Sequence, residues 1–285
     1  MIKLNIMSSR WSLFIFLLVL IQSPSLQAEE WINQGDETFE FGAGVFLQSF
    51  DTKLRVDNTE QDLGTGIDLE NDLGLQSDGT TFWLSGIWRF SANHRLSLSY
   101  FGFSRDSVAT ALKDIEIDEE IFPAGATLST KFKYQSAPIV YSYSFIKSRK
   151  HELAGSFGLH MTSFEFTVKG DAFVGGGGEV DGEVNAKAQG PLPLFGLNYE
   201  YHANKRWTNG IHGEVFSLDL EDGEIGFSGT IFNVRVSTEY WFYNNIGVGA
   251  ALNWFSFDAK VSDTDWRGRI DYEYFGPQIY LNARF

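Results

Sequence analysis

The sequence alternates apolar and polar residues at period two through most of its length, which confines it to strands with two different faces. Residues 82–90 place Phe82, Leu84, Gly86, Trp88 and Phe90 on one face. Residues 195–202 set Phe195, Leu197, Tyr199 and Tyr201 against Gly196, Asn198, Glu200 and His202. Residues 233–242 set Val234, Val236, Thr238, Tyr240 and Phe242 against Asn233, Arg235, Ser237, Glu239 and Trp241. A soluble β-sandwich alternates in the same way, so no single strand identifies the architecture.

Spacing and punctuation say more. The pattern predicts ten strands, at about 38–54, 80–91, 95–110, 126–146, 151–170, 192–203, 207–220, 226–242, 246–261 and 268–285. Their connections alternate in kind. Tight, often basic turns fall at Ser91 to His94, Lys147 to Lys150, Ala203 to Arg206 and Tyr243 to Asn245. Mostly longer, acidic connections fall at 55–79, 111–125, 171–191, 221–225 and 262–267. Short turns at one end and long loops at the other are the plan of an antiparallel transmembrane β-barrel. On that plan the turns are periplasmic and the acidic loops extracellular. Ten strands is the expected number, with eight or twelve as alternatives. An even count puts both termini at the short-turn end. Backbone groups left unpaired in hydrocarbon are costly, so strands can span a membrane only as a closed barrel. Each predicted strand exceeds the about 9–11 residues a tilted spanning strand needs. Trp88, Phe90, Phe145, Trp207, Tyr240 and Phe242 cluster near the tight turns and predict an aromatic girdle there.

Two strands change phase. Leu128, Thr130, Phe132 and Tyr134 hold even positions, whereas Ile139, Tyr141, Tyr143 and Phe145 hold odd ones. The switch lies at Ser136-Ala137-Pro138, and strand five switches between Met161 and Phe164. Either a bulge re-aims the side chains there, or each strand leaves the membrane at that point and continues as an exposed hairpin.

Residues 1–28 have the anatomy of a secretory signal peptide: basic Lys3 and Arg10, an apolar run from Trp11 to Ile21, helix-breaking Pro24 and small Ala28. The apolar run is about half of what a spanning helix needs. The expected organisation is a cleaved leader, 1–28, and a single barrel domain, 29–285. The 285-residue chain carries a formal charge of −15. It offers no basic footprint for nucleic acid. It has no cysteine, which removes disulfides, thiolate metal sites and cysteine nucleophiles.

The last residue is Phe285, preceded at alternate positions by Ala283, Leu281 and Ile279. With the leader and the ten alternating strands, this ending resembles bacterial outer-membrane β-barrel proteins as a class. The resemblance implies a place in the outer membrane of a Gram-negative bacterium. It also implies that Ile279, Leu281, Ala283 and Phe285 are read by the barrel-assembly machinery. The segment from Asp68 to Leu75 is similar to a motif of uncharacterised small proteobacterial barrels, and no activity follows from it.

No complete catalytic constellation is present, and no cofactor is implied. His94 and His151 lie in or beside tight turns and are expected to be solvated. His160 and His202 are not followed by the His-x-Ser-Asn-type motif of outer-membrane lipid hydrolases, and the chain does not resemble the outer-membrane proteases at their Asp and His motifs. His212 with Glu214, on one inward face, is the nearest approach to a catalytic pair. By alternation the lumen receives Arg89, Asn198, Glu200, His212, Glu214, Arg235, Glu239, Asn253, Gln278, Asn282 and Arg284. Buried charges must pair, so Arg235 and Arg284 are expected to meet Glu200, Glu214 or Glu239. The result is either a plugged, salt-bridged interior or a narrow polar passage.

Acidic loops are the second candidate. Asp68, Glu70 and Asp72, and Glu116, Asp118 and Glu119, are weak candidates for divalent cations. Such ions could bridge the loops to phosphates of lipopolysaccharide in the surrounding outer-membrane lipid. A solvated rim is the simpler reading. The run Gly175 to Gly178 reads as a loop tip. The expected function is a non-enzymatic barrel, structural or a narrow passage for small solutes or cations. The alternatives are an enzyme acting on outer-leaflet lipid, and loop-mediated adhesion or receptor work.

Overall fold

The computed structural model describes residues 32–33, 35–58, 66–117, 120–174, 178–222, 225–262 and 266–285. The expected leader, Asp118, Glu119 and most of the glycine run lie outside them. Ten long antiparallel strands close on themselves. They are β1 (Phe39–Asn58), β3 (Asp78–Ser91), β4 (His94–Thr110), β7 (Thr127–Lys147), β8 (His151–Val174), β9 (Gly178–Asn204), β10 (Trp207–Asp222), β11 (Ile225–Trp241), β12 (Ile246–Ser262) and β13 (Trp266–Arg284). Each pairs with its neighbour in the chain, and β1 pairs with β13 to complete the ring. Three short strands sit at the long-loop end: β2 (Ile67–Asp68) on β1, and β5 (Ile115–Ile117) with β6 (Glu120–Phe122), the latter against β8.

The predicted loop at 171–191 is a correction. β8 and β9 pair without a break from His151 opposite Tyr201 to Val174 opposite Gly178, so this segment is a tall hairpin. Its lack of an apolar face hid it. A ladder that has a partner and stands in water needs no apolar face to form.

The barrel interior has two tiers, and their boundary explains the phase switch. On β8, Leu153, Phe157, Leu159 and Met161 point outward, whereas Glu152, Ser156 and His160 are buried inside. Farther along the same strand, Ser163, Glu165, Thr167 and Lys169 point outward and Phe164, Phe166 and Val168 are buried. The other strands repeat this. On β13, Phe275, Ile279, Leu281 and Phe285 are exposed and Gln278, Asn282 and Arg284 buried; above them Tyr272 and Tyr274 turn in while Glu273 faces out. The strands themselves do not change parity. Pairing of β7 with β8 runs in one register through Pro138 opposite His160, and the only shift lies lower, between Ser144 and Ile146. There is therefore no bulge at Ser136-Ala137-Pro138. The environment outside the wall changes instead, from hydrocarbon to water, and the apolar residues change sides with it. The outward apolar belt, from Leu153 to Met161 or from Phe275 to Phe285, matches the about 9–11 residues of a spanning strand. Above the belt, outward ion pairs such as Lys133–Glu165 and Lys169–Glu183, both at 2.8 Å, mark the aqueous side.

The tight-turn end carries the expected girdle. Trp88, Phe90, Phe145, Trp207 and Phe242 are exposed there, and Trp88 with Phe90 and Trp207 with Tyr240 are in ring contact. The chain ends beside its own first strand, the Phe285 carbonyl accepting from the amides of Thr38 and Phe39.

Candidate functional site

The lower tier is a buried polar chamber of about 250 Å³. Its floor is a charge network built by four strands. Arg89 on β3 forks onto Glu152 on β8, with contacts of 3.0 and 3.3 Å, and approaches Glu37 at 3.6 Å. Arg95 on β4 meets Glu200 on β9 at 2.6 Å and Glu152 at 3.6 Å. Ser144 donates to Glu152. These pairs compensate charges that would otherwise be expensive to bury.

Glu152, Glu200 and His202 bring ligand atoms within 4.8 Å of one another, the arrangement a metal ion would need. Both carboxylates already face arginine, so a cation would have to displace a guanidinium.

Halfway up, His212 approaches Glu214 at 3.0 Å, as its place on one inward face predicts. The other ring nitrogen of His212 meets the Asn198 side-chain oxygen. Asn233 donates to Glu214 at 2.9 Å, and Asn253 donates to Asn233 at 2.7 Å. The pair is thus held inside a polar network, far from the outer surface. Glu239 accepts from the Tyr280 hydroxyl and from Asn282, each at 2.9 Å, and Asn282 also reaches Glu40 at 3.1 Å.

The pairing expected for the two lower arginines holds in part: Glu239 interacts electrostatically with both Arg235 and Arg284, while the hydrogen bonds described for them go to other groups. Arg235 donates to Gln278 at 3.1 Å and lies over the rings of Trp83 and Tyr280. Arg284 lies over buried Trp241 at 4.1 Å and donates to the Asn244 and Ile32 carbonyls, sealing the tight-turn end. Glu200 belongs to Arg95 instead.

The sequence reading missed Glu37, Glu40, Arg95, Glu152, Ser136, His160 and His202. Alternation carried the signal for most of them: Arg95 and Glu152 stand at inward positions of strands already recognised. Ser136 and His160 were not visible as a pair, because cross-strand register sets their 2.7 Å contact. His160 also meets Thr162 at 3.2 Å. That third group is a neutral hydroxyl, which does not stabilise an imidazolium as a carboxylate does. His94 is half-buried against the Tyr141 hydroxyl and His151 is exposed against that of Tyr199, both on the outer wall.

Above the chamber the barrel is filled. Tyr134 and Tyr272 rings lie 5.1 Å apart, Tyr134 and Phe164 5.0 Å, Phe255 and Tyr274 4.9 Å, and Phe46 and Tyr274 5.5 Å. Leu194, Phe216 and Ile231 from β9, β10 and β11 complete the same core. Set into it, Arg105 on β4 meets Glu70 at 2.5 Å, donates to Thr52 at 2.8 Å and lies 4.4 Å over the Phe50 ring.

Glu70 belongs to the acidic segment from Asp68 to Leu75, which is a lid and not a solvated rim. Ile67, Leu69, Leu73 and Leu75 are 3% exposed or less. Asp68 accepts from the Asn71 amide at 2.8 Å, and Asp72 accepts from the Asp68 amide at 3.0 Å. Asp72 also meets Lys113 at 2.9 Å. Burial raises the Asp68 carboxyl, but the Asn71 hydrogen bonds, the Lys53 charge and the Glu70 amide together outweigh it and hold the group below the usual carboxylate range. The acids of this lid cap a turn and bind a buried arginine. Among the described residues they are not gathered as metal ligands, and Glu116 stands apart on β5.

No family model matches this sequence, and no curated protein does. Solved structures do. The outer membrane protease OmpT from Escherichia coli is similar with a TM-score of 0.55 at 12% identity, over 92% of this chain and 100% of that one. The Pseudomonas putida toluene transporter TodX has a TM-score of 0.38 at 10% identity, over 89% and 92%. The outer membrane protein OprG from Pseudomonas aeruginosa has 0.38 at 8%, over 87% and 97%. At such identities the likeness concerns the fold. This chain shares with the outer membrane protease a closed, all-β antiparallel barrel fold.

Proposed function

We propose that this protein is a non-catalytic outer-membrane barrel whose axis is closed. Its lower lumen serves as a polar structural core, and any small solute is handled by the extracellular half. The observation that supports this most directly is the aromatic core spanning the barrel above the polar chamber. An ion crossing it would exchange most of its water for a lining dominated by aromatic rings, which is costly. The His212–Glu214 pair lies beneath that core, inside the belt, and outer-leaflet lipid has no direct route to it. On this reading the partners are the lipid around the belt and the assembly machinery that would read Ile279, Leu281, Ala283 and Phe285.

Conductance of the refolded protein in a planar bilayer, under a salt gradient, tests the proposal. The expected result is a silent membrane. Discrete steps with a cation-selective reversal potential, altered by Glu239→Gln or Glu214→Gln, would overturn it and make the acidic chamber a conducting lumen.

A further inference from the structure

The wall of the upper barrel is not continuous. β9 and β10 pair from their tight turn only as far as Phe195 opposite Val215. β9 stays paired to β8 up to Gly178, and β10 to β11 up to Asp222. Above Phe195 and Val215 no pairing joins the two facing edges among the described residues, so the wall has a gap. The register of β8 with β9 fixes its height. Pro193 stands opposite Leu159 and Pro191 opposite Met161, the last outward apolar residues of β8. The gap therefore begins at the outer rim of the apolar belt. An open strand edge in hydrocarbon is costly because its amides lack partners. Proline has no amide hydrogen to strand. The His202 amide donates to the Lys150 carbonyl at the foot of β8, and the register runs unbroken from there, so the backbone groups of the odd positions 191 and 193 face the gap.

Behind the gap lies a second cavity, of about 380 Å³, between the lid and the aromatic core. Leu69, Phe132, Phe164, Phe257 and Ile270 line it, together with the free edge of β9. Gly190 is on that edge, and a Cβ added there would meet no atom within 4 Å, so the edge borders open space. Each basic side chain at the rim has an acid near it. Arg269 binds Asp258 at 2.8 Å and Asp271 at 3.0 Å, and Lys187 stands opposite Glu165. Nothing there selects an ion. An apolar cavity of this kind does not hold water well and accepts apolar guests, and its volume falls in the range of small-ligand sites.

We propose that this cavity binds an uncharged apolar small molecule, which enters sideways from the outer leaflet through the gap between β9 and β10. The inference rests on the closed-axis reading, and the two can fail separately. The test is fluorine NMR of hexafluorobenzene titrated into the refolded protein in detergent micelles. The expected result is a saturable resonance distinct from that of the micelle-dissolved probe. Ala259→Trp, which fills the floor, should weaken it by about ten-fold or more; Leu192→Trp serves the same purpose if that variant does not fold. Gly190→Trp, placed in open space, should slow exchange of the bound probe. A probe that only partitions into micelles, or saturable binding unchanged by both filling variants, overturns the site. Unchanged exchange in Gly190→Trp overturns the lateral route. Saturable binding in a protein that also conducts ions would leave this site standing and remove the closed axis.

Discussion

The most consequential single residue of the upper tier is Arg105. It is buried among Phe50, Phe103 and Phe132, and Glu70 is its counter-charge. Removing one member of a buried pair leaves the other uncompensated, at a cost of about 3–5 kcal/mol. Arg105→Ala is therefore expected to lower the unfolding free energy by that amount in urea titrations of the refolded protein. Glu70→Gln, which keeps one acceptor for the guanidinium, should cost less. Equal stability of Arg105→Ala and the parent would show that the lid does not depend on the pair. Neither residue was legible as a pair: Glu70 reads as one more acid in an acidic loop, and Arg105 as a charge on a strand. Thirty-four residues separate them along the chain, and only the fold of the lid joins them. The lower tier was far more legible. Arg89, Glu200, His212, Glu214, Arg235, Glu239, Asn253, Asn282 and Arg284 all face the lumen as alternation predicts, because a β-strand cannot turn one residue without turning the rest.

At the scale of the element, the strand β8 carries both environments on one outward face. An arginine facing lipid at mid-membrane costs about 2–4 kcal/mol, and the cost fades toward the interface. Phe157→Arg is expected to reduce stability by that amount. Thr167→Arg, on the same face of the same strand, should change it by no more than about 0.5 kcal/mol, as surface substitutions do. Comparable losses for the two would place Thr167 in hydrocarbon and contradict the boundary at Met161. The phase switch in the sequence marked this boundary correctly but left its cause open between a bulge and a membrane exit. Unbroken register through Pro138 decides for the exit.

For the whole molecule, the two tiers imply that the barrel stands well clear of the bilayer on the loop side. The chain has no cysteine, so a single engineered one gives a unique label. Spin labels at Phe157→Cys and Leu281→Cys are expected to be relaxed by oxygen, which concentrates in lipid. Labels at Thr167→Cys and Glu273→Cys should be relaxed by a water-soluble nickel chelate. The reverse pattern at residue 167 would require a taller membrane-embedded belt. The proposed closure of the axis belongs to this scale too, since it draws on rings from β1, β4, β7, β8, β12 and β13.

The amino-acid sequence by itself determined the strands, their facing, their number and the end at which the termini meet. These follow from local rules: period-two burial, turn chemistry and the length that spans hydrocarbon. The tertiary structure alone decided which lumen charges neutralise which, that the acidic segment folds inward as an apolar lid, and that aromatic residues from six strands meet in one core. Those outcomes depend on register and barrel closure. They bring together residues far apart in the chain, and no local pattern encodes such distances.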